Sequence, residues 1–260
     1  MYAHLAFVQM GEVWDDMMQS ELAADSYSHN KRLAAYCRSA LNGDVHVARV
    51  LEVFQENPYA NVVTFATLAD WHGKRGDLHQ MQKVMEGMKE ANIKMTIPII
   101  TSAMDAFSKS DQEEEMLAAF HSLPTHGLQP NRYTYTTLLR HFAKKGDMAS
   151  LLKYYGEAMA RDDICTEDGD SGIHDMVLLG TTMVKDVETS MEVYDGMASG
   201  ALPPPELYTL DILLKLCLEH KLESFALMLM RDMSKFGIEG DDRFFVCVGV
   251  CFWGAFSIFC

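Results

Sequence analysis

Val62-Val63-Thr64-Phe65-Ala66-Thr67-Leu68-Ala69-Asp70-Trp71-His72-Gly73-Lys74 opens a segment that repeats itself at a fixed spacing. Residues 62–96, 97–131 and 132–166 can be written under one another without a gap. Phe65, Ile100 and Tyr135 then share a column, as do Thr101 and Thr136, and Leu68, Ala103 and Leu138. Lys74, Lys109 and Lys144 follow, and Met85, Phe120 and Tyr155 recur near the end of each unit. A period of about 35 residues is the mark of a solenoid of small stacked units, none of which can bury its apolar face alone.

Two helices are legible within a unit. Val63, Phe65, Leu68 and Trp71 recur at helical spacing across Val62–Lys74, and Gly76-Asp77 breaks the run, as Gly146-Asp147 does in the third copy. Leu78, Met81, Val84, Met85 and Met88 then form the apolar side of a second helix whose other side carries Gln80, Lys83, Glu86 and Lys89. Asn92, or Gly127-Leu128-Gln129-Pro130-Asn131, closes the unit. The fold class expected is all-α, a solenoid of stacked helix-turn-helix hairpins.

The remaining chain falls into the same frame. Residues 1–25 are the remnant of one unit, since Val13-Trp14-Asp15-Asp16-Met17 is similar to Val84-Met85-Glu86-Gly87-Met88 near the end of a second helix. The chain is therefore expected to begin inside a repeat, as a piece of a longer array. A degenerate unit spans 26–61, and regular units span 62–96 and 97–131. The second of these has Ser110-Asp111 in place of the turn glycine, and Pro124 is expected to end its second helix early. A unit at 132–170 includes an acidic insertion (Asp162, Asp163, Glu167, Asp168, Asp170) read as a solvated loop. A unit with a weak first helix spans 171–206, a regular one 207–242, and an apolar tail 243–260. From Phe244 the tail carries no charge; at seventeen residues it sits at the lower limit for a bilayer span. No function is placed on it, and a membrane is not an expected partner.

Hydrophobic content of 48% is ample for a continuous core, and the nineteen methionines sit mostly at second-helix core positions. The formal charge of −15 disfavours a nucleic-acid partner unless lysine and arginine are gathered on one face. The six cysteines show no disulfide spacing, and Cys247 and Cys251 lack a second pair or a histidine cluster, so no metal or other cofactor is expected. Glu12, Asp15 and Asp16 come early, and neither a signal-peptide nor a transit-peptide pattern is visible in the chain.

The openings Val62–Leu68, Arg132-Tyr133-Thr134-Tyr135-Thr136-Thr137-Leu138-Leu139 and Leu207-Tyr208-Thr209-Leu210-Asp211-Ile212-Leu213-Leu214 resemble the start of the pentatricopeptide repeat. Lys144-Lys145-Gly146-Asp147 is similar to its inter-helix turn, Val193-Tyr194-Asp195-Gly196-Met197 to the end of its second helix, and Gly127–Asn131 to its close. The Gly-Tyr pairing of tetratricopeptide repeats is absent. The resemblance covers about residues 26–242 and implies a right-handed superhelical solenoid that binds single-stranded RNA, one base per repeat. It further implies a non-catalytic role in organellar RNA processing, stability or translation, in chloroplast or mitochondrion, with other protein subunits as a second class of partner and no small-molecule substrate. Two or three side chains on each hairpin suffice to address one unstacked base.

Carried onto this chain, the resemblance gives the base-reading pairs Thr101 with Asn131 (adenine), Thr136 with Asp170 (guanine) and Asn30 with Asn61 (cytosine). Ala66 with Thr96, Asp175 with Glu206, and Asp211 with Asp241 occupy the same places with less usual combinations. Val63, Pro98, Tyr133 and Tyr208 would sandwich the bases. Each place also has a structural reading: a threonine at a helix start can be a cap, and Tyr133 and Tyr208 can be core. The recurrence of Lys74, Lys109 and Lys144, extended by Arg38 and broken at Glu219, suggests a cationic row that tracks the phosphates. A scaffold of the tetratricopeptide kind, binding protein along the groove, is the alternative that the acidic balance favours.

Overall fold

The computed structural model describes residues 2–20, 24–41, 47–161, 163–164 and 171–240, with side chains from residue 11 onward. The tail 243–260, most of the acidic insertion, Asp170 and Asp241 lie outside the described residues. The described residues form thirteen α-helices and no strand. The fold is all-α, built of helical hairpins in two compact units, residues 1–130 and 131–260.

In the first unit, α1 (Tyr2–Gln19) packs on α2 (Ser26–Ala40). Helix α2 pairs with α3 (Val47–Gln55), α4 (Val62–Arg75) with α5 (Leu78–Glu90), and α6 (Ile97–Lys109) with α7 (Glu113–Ser122). The first helices α2, α4 and α6 stack side by side. Leu33, Tyr36, Cys37, Ala40, Val50, Val53, Leu68 and Trp71 form one apolar cluster across two hairpins. Helix α7 ends before Pro124, which starts a short 3₁₀ turn through His126. In the second unit, α8 (Arg132–Lys145) pairs with α9 (Met148–Met159), α10 (Gly172–Val184) with α11 (Val187–Ser199), and α12 (Leu207–His220) with α13 (Glu223–Phe236). Here α8, α10 and α12 are the stacked helices.

Local chemistry sets the hairpin ends. Asn61 caps α4 and Asn131 caps α8, each in a capping box with the threonine three residues on, Thr64 and Thr134. Thr209 occupies the same place in α12, its hydroxyl accepting from the Glu206 N–H at 3.0 Å. The threonine caps therefore stand at the third position of the repeat. Thr101 and Thr136 lie two residues further along, inside their helices. Gly76 and Gly146 end α4 and α8 at φ 75° and 72°, the left-handed region where glycine has no Cβ penalty. Asp111, Lys185 and Lys221 hold the left-handed turn without glycine, at φ 55°, 60° and 55°. The aspartates that follow two of the glycines, Asp77 and Asp147, cap the second helices.

Two expectations need correction. The first helix of the 171–206 unit, weak in sequence, is a full helix, and Ile173 to Leu178 are all buried in it. It packs against α8, α9, α11 and α12, and a helix covered on several sides shows no amphipathic period. The methionines are also more dispersed than expected. Met81, Met88, Met116, Met197 and Met233 are core residues of second helices, but Met104 and Met176 are buried in first helices, and Met18, Met183 and Met191 are exposed. No helix among the described residues is long and apolar enough to cross a membrane.

Candidate nucleic-acid interface

The stacked first helices of the first unit enclose an open cavity of about 610 Å³. Val63 and Pro98 stand at the second position of α4 and α6, and both line it, with Ala66, Thr96, Ser102 and Trp71. Arg38 and Lys74 bring two cations to the same space. A cavity of this size lies within the usual range for small-molecule and base-sized ligands. Ala66 leaves it wide, and Ala66 and Thr96, proposed as a pair from sequence, share its lining. Cys37 belongs to this wall too; burial first, and the nearby Asp70 charge second, push its thiol up to about 12.

The second-position residues of four units are solvent-exposed, whereas Gly172 of the 171–206 unit is half-buried and offers no side chain. Val63 is 53% exposed, Tyr133 66% and Tyr208 47%, and Pro98 is exposed as well. Tyr133 and Tyr208 are thus surface rings rather than core, whereas Tyr135, two residues on from Tyr133, is fully buried. Burial and a hydrogen bond to Glu157 push the Tyr135 phenol up to about 12. Tyr27, 65% exposed, holds the same place at the start of α2 and was missed in sequence, although its column, one after Ser26, was available.

The candidate base-reading positions divide by burial. Asn30 and Asn61 are brought together: the Asn30 amide donates to Asn61 Oδ1 at 3.2 Å, and Thr64 Oγ1 donates to Asn30 Oδ1 at 2.6 Å. Asp175 and Glu206 meet through Thr209, which donates to Asp175 Oδ1 at 2.6 Å and accepts from the Glu206 N–H. Ser171 donates to the other Asp175 oxygen at 2.8 Å, and Asp175 is 3% exposed. Thr101 is also buried, at 1% exposure, and the neighbouring Ser102 is the residue that lines the cavity. Thr101 is buried along with Ile100, Ala103 and Met104 of α6, whereas Ala66, at the same place in α4, lines the cavity. Thr136 is half-buried and donates to the Arg132 carbonyl. Asn131 is exposed, but its Oδ1 accepts from the Thr134 N–H. Asp211 pairs with Lys215 at 2.6 Å. Thr101 and Asn131 fall in different compact units.

The cationic residues are exposed but unequal. Lys74 Nζ sits 2.6 Å from Asp70 Oδ2, and Lys109 is ion-paired to Asp105 in the same way, each four residues apart on one helix. Arg38 and Lys144 form no ion pair among the described residues, and Arg140 stands four residues before Lys144 where the others have aspartate. Among the described residues no three His, Cys, Asp or Glu side chains converge on a metal-sized site.

A family model described as PPR repeat matches residues 63–93, and one described as pentatricopeptide repeat domain matches residues 119–161. A chloroplastic pentatricopeptide repeat-containing protein of Arabidopsis thaliana is 26% identical over 117 residues, 45% of this chain and 12% of its own length. Another pentatricopeptide repeat-containing protein of that plant is 23% identical over 128 residues, 49% of this chain and 17% of its length. The chain thus spans under a fifth of the curated relatives it matches. Among solved structures, maize pentatricopeptide repeat protein PPR10 superposes with a TM-score of 0.62 at 16% identity, over 91% of this chain and 33% of that one. PPR10 in complex with an 18-nucleotide psaJ RNA element superposes with a TM-score of 0.73 at 17% identity, over 95% of this chain and 35% of that one.

Proposed function

We propose that the chain, whose residues 63–93 and 119–161 match pentatricopeptide repeat models, binds single-stranded RNA along its first helices, with bases between second-position side chains and phosphates on the cationic residues. The cavity between α2, α4 and α6 carries this reading. It presents two flanking apolar groups, Val63 and Pro98, over a wide floor, with Arg38 and Lys74 beside it. Stacking surfaces next to cations are what a single strand requires, since every base offers a π-face and every nucleotide a phosphate. Exposed Tyr133 and Tyr208 offer the same chemistry in the second unit. The structure in which PPR10 holds an RNA element has the same fold, and one relative is named chloroplastic. We accordingly place the protein in organellar RNA processing, stability or translation, acting by binding.

The test is selection. The full chain is incubated with a random single-stranded RNA pool at two salt concentrations, and the retained RNA is sequenced. A short enriched motif, lost at high salt, is expected. An adenine–guanine step within it would show that Thr101 and Thr136 read bases from their positions. Its absence would leave selectivity to the Val63–Pro98 cavity. No enrichment and no salt-sensitive retention would overturn the reading in favour of a protein-binding scaffold.

A further inference from the structure

The row of cations is matched, in part, by a row of carboxylates. Asp70 precedes Lys74 and Asp105 precedes Lys109 by four residues, the favourable orientation for an intrahelical pair. Both pairs are exposed, so each lysine sits within reach of solvent and of its own counter-ion. Asp70 is held at the cavity: it lines the space and accepts from Ser102 Oγ of α6 at 3.4 Å. Its charge is felt on the cavity wall, where it helps to raise the Cys37 thiol. The same place is Ala34 before Arg38 and Arg140 before Lys144. Among the described residues, Lys74 and Lys109 are thus ion-paired and Arg38 and Lys144 are not.

We propose that Asp70 and Asp105 are built-in counter-ions that compete with the RNA backbone for Lys74 and Lys109, so that phosphate affinity is damped at these two steps and concentrated at Arg38 and at Arg140 with Lys144. This rests on the RNA-binding reading. A phosphate approaching Lys74 must displace Asp70 or share the ammonium with it, and the displaced carboxylate stays nearby as a like charge. An exposed intrahelical pair holds its lysine by about a factor of two, and the residual repulsion at salt-screened distance is of similar size. Neutralising both aspartates is therefore expected to tighten binding by about three- to tenfold at low ionic strength.

The experiment measures binding of the full chain to a labelled mixed-sequence single-stranded RNA across a salt series. Variants are D70N/D105N, K74A/K109A, all four together, and K144A, with thermal melting to verify folding. The amide keeps the size of the carboxylate and can still meet Ser102. D70N/D105N is expected to bind about three- to tenfold tighter at low salt, with a gain that fades as salt rises and disappears when both lysines are alanine. In the native background, which does not depend on the aspartate variants folding, K144A is expected to weaken binding more than K74A or K109A. Unchanged or weaker binding by folded D70N/D105N, or equal losses for K74A and K144A, would overturn the counter-ion role while leaving RNA binding intact. Absence of salt-sensitive RNA binding by the native chain would overturn both.

Discussion

Replacing Thr64 by valine tests how one hairpin is locked to the next. The two side chains have nearly the same shape, so the change removes a hydroxyl and little else. Thr64 is fully buried. Its Oγ1 donates to Asn30 Oδ1 at 2.6 Å on the preceding hairpin and accepts from the Asn61 N–H at 3.0 Å. Valine leaves Asn30 Oδ1 without that donor and opens the capping box of α4. The Asn61 side chain still caps α4 through the N–H groups of residues 63 and 64. Losing the partner of the Asn61 N–H costs about 0.5–1.5 kcal/mol, and a half-buried carbonyl deprived of its partner about 1–3 kcal/mol. Water reaches Asn30 and offsets part of the second cost, so the expected loss is about 2 kcal/mol. With a urea m-value of about 2 kcal/mol per molar, the denaturation midpoint should fall by about 1 M. Thr67→Val is the control: that hydroxyl only donates to the Val63 carbonyl of its own helix, and its loss should stay within about 0.5 kcal/mol. Equal losses for T64V and T67V, or a T64V midpoint indistinguishable from the native one, would refute the idea that the third-position threonine couples hairpins.

Tyr133→Ala and Tyr208→Ala should leave the urea midpoint nearly unchanged, since both rings are exposed, but each should weaken RNA binding by about 1–3 kcal/mol; a stability loss without a binding loss would return these residues to the core. Acidification should destabilise the fold. Burial lowers the pKa of both His29 and His72, with Arg32 acting in the same direction on the first and Arg75 on the second. Between their folded values and the ordinary 6.5 the unfolded chain binds more protons, so their contribution is complete above about pH 6.5 and is lost as pH falls. Urea midpoints from neutral to mildly acid pH should drop, less steeply in H29Q/H72Q; an identical slope in that variant would assign the acid sensitivity elsewhere.

The repeat and its two helices were open to inspection in the sequence because their signals act within a few residues. A Gly76 or Gly146 at a left-handed turn, an Asn61 or Asn131 at a cap and a run of apolar residues at helical spacing each settle a local conformation. The Asp70–Lys74 and Asp105–Lys109 pairs were equally local and were overlooked, although a spacing of four shows them on one helix face. Helix α10 escaped for the opposite reason, since burial on several sides erases the period that would announce it.

What sequence determined about this protein is therefore the hairpin, its length and the column each residue occupies. Tertiary structure decided which columns reach solvent. The fifth position, equivalent by sequence in every unit, is buried in Thr101, locked to the next hairpin's threonine in Asn30 and Asp175, and beside an open cavity in Ala66. Those fates hang on contacts 34 residues apart in the chain, such as Asn30 with Thr64 and Asp175 with Thr209. A column fixes where a side chain leaves its helix; only the neighbouring hairpin determines what it meets there.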